Sequence, residues 1–324
     1  MPYPKSDHFD GKRFDNQNPM ALADRGFKDM LRWKREAKKL KKTWPEFVPN
    51  TATPQLPASV EPGEAFITCV SHATNLVQLQ GLTFLTDPVF SERASPVQWA
   101  GPKRVRAPGV PLAELPKIDV VLVSHNHYDH LDADSLKKLW AKDKPLFLVP
   151  LGDEKILRKL GIERVIEMDW WQSAELPGGG RATFAPSRHW SGRGIFDRRK
   201  SLWGSFVVEA GGVKVYFAGD TGYDRHFTQV FERFGAMDAS IIPIGAYAPR
   251  WFMQGAHMNP DDAVRAHIDL RSAFSVATHF GTFQLTDEGI DEPVEDLMQA
   301  LKERSVSPET FVAPQHGQTL RNRA

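Results

Sequence analysis

The chain has 324 residues, 41% hydrophobic and 25% charged, with a formal charge of +1. That length suffices for one large α/β domain with a sizeable core, and the near-neutral balance argues against nucleic acid or any other dominant electrostatic partner. A single cysteine, Cys69, excludes an intrachain disulfide and a cysteine-built zinc site, and it fits a reducing compartment.

Residues 1–23 are polar and aperiodic, which predicts an arm ordered only where it packs on the body. No apolar leader and no run of about 18 apolar residues occurs, so the protein is expected to be cytoplasmic, soluble or peripheral to the inner membrane face. From residue 27 a stripe of Phe27, Met30, Trp33, Ala37, Leu40 and Trp44 recurs at helical spacing among lysines and arginines. A basic amphipathic helix over 27–44, ended near Pro45, either packs on the domain or attaches to an anionic membrane surface. Pro49, Pro54, Pro57 and Pro62 mark an extended linker. The division expected is an extension at 1–60 and a hydrolase domain at 61–324.

Strands are predicted at 65–70, 75–80 and 82–86, the last two joined tightly at Gln80-Gly81. A proline-rich stretch at 88–116, carrying Arg93, Lys103, Arg104 and Arg106, reads as a long surface loop beside a site. The β-branched run at 118–123 suits a strand buried on both faces. Further strands are expected at 145–149, 164–167, 181–185, 205–210, 213–218, 239–243, 272–278 and 310–313, and helices at 134–141, 153–160, 224–234, 259–269 and 292–304. Two β-rich halves flanked by helices predict a four-layer αββα sandwich with the site where the sheet ends meet.

Immediately after the run at 118–123 comes Ser124-His125-Asn126-His127-Tyr128-Asp129-His130, three imidazoles and a carboxylate within six residues. Imidazole and carboxylate without thiolate suit zinc, iron or manganese, with zinc the first choice. The spacing differs from His-Glu-x-x-His, whose histidines lie one helical turn apart. Three more candidates each follow a predicted strand: His189, Asp220 and His279. The assignment gives one metal His125, His127 and His189, gives the second Asp129, His130 and His279, and lets Asp220 bridge them. Taken singly, Asp220 before Thr221-Gly222 is equally readable as a turn acid, and His189 as a core histidine. Two ions a few ångströms apart would clamp the attacking and leaving oxygens of a displacement. His257, before a helix, is placed to steady a phosphate oxygen or protonate a leaving alkoxide. His72 reads as a residue that orients a ligand. Asp129, Asp220 and His257 are therefore the candidates for the chemistry.

The ordered set His125, His127, Asp129, His130, His189, Asp220 and His279 resembles the metallo-β-lactamase superfamily. Within it the chain is similar to the N-acylphosphatidylethanolamine-hydrolysing phospholipases D, through Leu85-Thr86-Asp87-Pro88, Asp169-Trp170-Trp171, Leu202-Trp203-Gly204-Ser205, Pro249-Arg250-Trp251-Phe252-Met253 and His279-Phe280-Gly281-Thr282-Phe283. The matching stretches run from about residue 66 to 316. The resemblance implies two zinc ions, a homodimer, and hydrolysis of a phospholipid to an N-acylethanolamine and phosphatidic acid, with Trp251, Phe252 and Met253 along the acyl-chain approach. A related metal-dependent hydrolase of a soluble ester, a lactone or a nucleic-acid phosphodiester is the alternative, the last kept open by the basic loop at 103–106.

Overall fold

The structure, a computed structural model, describes residues 3–18 and 26–322, without the side chains of Phe27 and Leu40; residues 1–2 and 19–23 of the expected arm lie outside the described residues. In chain order the elements are helix α1 (Phe27–Leu40), strands β1 (Ala65–Ser71), β2 (Thr74–Leu79), β3 (Leu82–Thr86) and β4 (Val120–Leu122), and helix α2 (Ala133–Asp143). Strand β5 (Leu146–Pro150), helix α3 (Glu154–Lys159) and strands β6 (Val165–Met168), β7 (Ser173–Glu175), β8 (Arg181–Ala185), β9 (Ser205–Ala210) and β10 (Val213–Phe217) follow. The remainder comprises α4 (His226–Phe234), β11 (Ala239–Pro243), α5 (Arg250–Met253), α6 (Pro260–Asp269), β12 (Ser275–Thr278), α7 (Glu292–Glu303), β13 (Phe311–Val312) and β14 (Thr319–Arg321).

Period-two alternation divides each central strand between two cores. Val120 and Leu122 of β4 face one core with Phe84, Leu146 and Leu148, while Val121 faces another with Leu85, Phe147, Leu136 and Leu139. The first core also holds Phe184, Phe206, Val215 and Ile241 from the other sheet, so it lies between the sheets. A third core packs Tyr216 and Ile242 against Phe227, Val264 and Leu297 of the outer helices. These three cores separate four layers, the αββα sandwich expected. The sheet orders are β14-β1-β2-β3-β4-β5-β6 and β13-β12-β11-β10-β9-β8-β7. Strands β3 to β6 are parallel, as are β10 to β13. Connections therefore place loops together at their carboxyl ends, where parallel sheets carry their sites.

Three differences from the sequence pattern have local causes. Strands β7 and β14 are three residues each, with only Ala174 buried, so neither carries a hydrophobic run to announce it. The tetrapeptide α5 stands where a loop is predicted, since four residues behind Pro249 are too few to show a 3.6-residue period. Helix α1 stops at Leu40 rather than near Pro45, because the backbone N–H of Lys42 is taken by the carbonyl of Asp287 instead of its own helix.

The amino-terminal arm contributes to the interior. Phe9 and Phe14 lie in the core between the sheets, and His8 stacks on Trp170 with ring centroids 4.4 Å apart. Since Phe14 is 0% exposed, Phe14→Ala should lower the free energy of unfolding by about 3–5 kcal/mol in urea titration.

Candidate metal centre

Each histidine and acid of the candidate set sits on a loop that leaves the carboxyl end of a strand. His125 to His130 follow β4, His189 follows β8, Asp220 follows β10 and His279 follows β12. The structure brings all seven together. His125 Nε2 lies 2.9 Å from His127 Nδ1, which lies 3.2 Å from His189 Nε2. Asp129 Oδ2 lies 3.4 Å from both His130 Nε2 and His279 Nε2. Asp220 spans the two groups: one oxygen is 3.2 Å from His279 Nε2, and the other is 3.2 Å from His130 Nε2 and 3.9 Å from His189 Nε2.

This geometry fits a pair of cations. His130 Nε2, His279 Nε2 and Asp220 Oδ1 are buried without a hydrogen-bond partner among the described residues, an expensive arrangement unless something positive binds them. Imidazole tautomers point the same way. His125 Nδ1 lies 2.9 Å from Ser124 Oγ, His130 Nδ1 lies 2.6 Å from Asp87 and His189 Nδ1 lies 2.9 Å from the Ala256 carbonyl. With each N–H spent there, the other nitrogen faces the cage and can offer its lone pair to a cation. Among the described residues, four largely buried groups of such residues have ligand atoms within 4.8 Å of one another. The His/Asp donor set, with Cys69 buried elsewhere, suits a binuclear centre of borderline metals.

Protonation differs between the halves. Burial drives His125 and His189 well below the usual imidazole range and takes His127 down to about 4, so this trio is neutral. Burial acts likewise on His279, but the Asp220 and Asp129 carboxylates outweigh it and raise His279 to about 9. His130 is raised well above its usual value by Asp220, Asp129 and Asp87. Burial would raise the two acids, yet His130 and His279 hold Asp129 and Asp220 well below the ordinary carboxylate range.

A surrounding layer locks these groups. Asp87 accepts from the Ser124 N–H at 2.7 Å and the Ser124 hydroxyl at 2.5 Å as well as from His130. His72, expected to orient a ligand, lies with Nε2 3.1 Å from Asp129 Oδ2; burial depresses it to about 3, so the neutral ring donates. Asn126 is clasped by Asp153 at 2.8 Å and by the Gly192 N–H at 2.8 Å. Asn16 of the arm accepts from the His189 N–H and donates to the His189 carbonyl, both at 3.0 Å. His72, Asp87 and His279 all have left-handed backbones, with φ of 41°, 34° and 60°, a local cost of the kind concentrated at functional sites. Gly219 is required beside Asp220, since a Cβ there would come within 2.6 Å of Ser124 Cβ.

A pocket of about 510 Å³ opens over the cage. His127, Asp129, Asp220 and His257 face it, and His257 Nδ1 is 3.8 Å from Asp220. Of the residues expected along an acyl-chain approach, Phe252 and Met253 line the pocket, whereas Trp251 donates to Glu36 of α1 at 3.0 Å and packs under Arg32. Sequence reasoning missed Met30 and Trp33 of α1 as pocket residues, together with Trp190, Arg198 and Leu285. Trp33 stacks on Phe252 with centroids 4.9 Å apart and donates to Asp287 at 2.7 Å, so α1 forms a wall of the pocket. The helical stripe marks Trp33 as facing the protein but not what it meets. Asp87 and Asn16 were also missed as supports; an acid before proline reads as a turn, and Asn16 lies in an aperiodic stretch. The basic loop at 103–106 is largely structural. Arg104 is buried and donates to Ser91, Val89 and Ser71 at 2.9 Å each, and Arg106 to Gly281 at 3.2 Å.

Comparisons with known proteins agree with this geometry. A family model for the β-lactamase superfamily domain matches residues 83–280. An uncharacterized protein of Mycobacterium tuberculosis is 40% identical over 280 residues, which are 84% of this chain and 73% of its own. N-acyl-phosphatidylethanolamine-hydrolyzing phospholipase D 1 of Caenorhabditis elegans is 40% identical over 265 residues, 78% of this chain and 74% of its own. Among solved structures, a possible metal-dependent hydrolase of Veillonella parvula superposes with a TM-score of 0.62 at 18% identity, over 80% of this chain and 99% of that one.

Two outcomes follow from the cage. Asp87→Asn should leave the protein folded and weaken metal retention by about 10–100-fold in chelator competition, because His130 loses its anionic orienter. His279, raised to about 9, is protonated below that value and loses its proton above it, so a cation must displace that proton at neutral pH. Metal uptake at pH 8 should therefore release protons, detectable by calorimetry in two buffers, and affinity should fall about tenfold per displaced proton for each pH unit of acidification.

Proposed function

The chain belongs to the metallo-β-lactamase superfamily, and on that premise we propose that it is a zinc-dependent phosphodiesterase cleaving N-acylphosphatidylethanolamine-type phospholipids to N-acylethanolamine and phosphatidic acid. The observation that carries this reading is the junction of a seven-ligand cage with a pocket walled on one side by Met30, Trp33, Phe252 and Met253. A polar floor and an apolar wall match a substrate whose phosphate and acyl chains must be held together. The relative from Caenorhabditis elegans supports the same choice of substrate class.

The cage residues would hold two zinc ions, His125, His127 and His189 at one, Asp129, His130 and His279 at the other, with Asp220 between. Bound zinc supplies Lewis acidity and lowers the pKa of water to near neutrality. His257 is neutral at pH 7, since burial takes it down to about 4, and its N–H is available to a phosphoryl oxygen over the cage. Arg198, stacked on Trp190 with 4.7 Å between guanidinium carbon and ring centre, adds positive charge beside the same opening. The apolar wall excludes water and orients the acyl chains against α1 and α5. A homodimer and a cytoplasmic-face location complete the proposal.

Asp220→Asn and His127→Ala should each cut metal-dependent turnover by more than about a hundredfold while circular dichroism stays unchanged. Mass spectrometry of the products from an N-acylated phosphatidylethanolamine should show an N-acylethanolamine, abolished by chelator and restored by zinc. Retained turnover in either variant, or no cleavage of that lipid by the zinc-loaded protein, overturns the reading.

A further inference from the structure

We propose that a second cavity, beside the segment that leaves His279, is a regulatory site for a compact zwitterion, an α-amino acid with an apolar side chain. The cavity is about 420 Å³, within the ~300–1,000 Å³ range of pockets that enclose small molecules. It shares no lining residue with the pocket over the cage, and nothing in the phospholipid reading uses it. Val48, Phe280, Ile290 and Val294 supply apolar wall, while Arg106 and Asp291 bring one positive and one negative charge to the lining. His316, the remaining titratable group there, is neutral at pH 7, since burial takes it down to about 3.

The two charges are near each other yet unpaired. Arg106 gives its Nε–H to the Gly281 carbonyl at 3.2 Å, and among the described residues its terminal nitrogens make no hydrogen bond and no ion pair. The Asp291 carboxylate stands before α7, caps none of its N–H groups and has no side-chain partner among the described residues. Burial pulls the half-buried Arg106 below its usual range, and Asp291 acts on it from across the cavity without closing an ion pair. A lone anion here would meet Asp291, and a lone cation would meet Arg106. A ligand with carboxylate and ammonium on one carbon satisfies both, and its side chain takes the apolar wall. Guanidinium and carboxylate pair through two parallel bonds, which gives the geometry as well as the energy.

Short contacts join this cavity to the second half of the cage. Phe280 and Gly281 follow His279 directly, so a ligand held by Arg106 also steadies the carbonyl to which Arg106 donates. His316 Nε2 lies 3.1 Å from Thr282 Oγ, which accepts the His72 N–H at 2.9 Å. The His72 carbonyl accepts from the His279 N–H at 2.9 Å, and the His72 ring holds Asp129 at 3.1 Å. Occupancy that stiffens this segment lowers the ordering cost of holding a cation at His279 and Asp129, which links the two binding events.

The test titrates L-phenylalanine and L-leucine into the full-length protein by calorimetry, each beside its N-acetyl derivative, which lacks the ammonium, and its amide, which lacks the carboxylate. At least one of the two amino acids should bind at millimolar concentration, and its derivatives should bind at least about tenfold more weakly. Arg106→Gln and Asp291→Asn should each weaken binding by about tenfold. Asp291 is exposed, so its variant keeps the comparison valid if Arg106→Gln disturbs the fold. In chelator competition, saturating amino acid should tighten zinc retention by about fivefold, and zinc should tighten amino-acid binding by the same factor. No binding by either amino acid, an N-acetyl derivative as tight as its parent, or binding unaffected by Asp291→Asn each overturns the site. Binding that leaves zinc retention unchanged overturns its control of the cage.

Discussion

Two carboxylates enclosed in one cage are the constraint on which the rest of this structure depends. Asp220 is 3% exposed, and Asp129 sits beside it against the same two imidazoles, His130 and His279. Removing such charges from water costs several kcal/mol each unless opposite charge and hydrogen bonds meet them. His130 and His279 face both carboxylates, and divalent cations held there would supply the opposite charge. The sandwich is the device that makes this concentration possible, since parallel strands deliver loops from both sheets to one end. Buried supports such as Asp87, Ser124 and Asn126 then leave the ligand side chains little freedom to relax apart.

Much of the cage was legible because the fold separates its ligands in a readable way. His125, His127, Asp129 and His130 are contiguous behind an unbroken β-branched run, and the distant three follow strands whose hydrophobic runs are clear. The layers were legible for the same reason, since strands buried on two faces and helices with one apolar stripe admit few arrangements. Side chains whose importance comes only from what the fold brings opposite them were not legible. Asp87 carries no periodicity, and Asn16 sits in a polar stretch indistinguishable from an unstructured lead-in. Strands β7 and β14 borrow their order from their neighbours.

Helix α1 shows how a correctly read element can conceal its use. Its stripe implied packing on the body and its basic residues a solvated face; Trp33 and Trp44 are half-buried and Met30 is exposed, and the packed side meets the pocket wall. Trp33 and Trp44 are tied to the segment at 284–288 through Asp287 and the Glu288 carbonyl, at 2.7 and 2.8 Å. Glu288 in turn accepts from the backbone N–H groups of Ala246 and Ala248, at 2.7 and 3.1 Å. The wall over the cage is thus joined by short hydrogen bonds to the loop that carries Ala246 past the pocket. Substrate shape and the seating of this helix are coupled through those contacts.

Asn16 carries a consequence for how the molecule is assembled. Its side chain fastens to the backbone of His189 and lies 3.1 Å from the indole nitrogen of Trp203, partners 173 and 187 positions further along. During synthesis Asn16 leaves the ribosome well before His189 and Trp203 and has no seat until they have been made. This segment is therefore among the last to settle, in the manner of contacts with large sequence separation. A change at Asn16 would act on the back of a ligand loop far away in sequence.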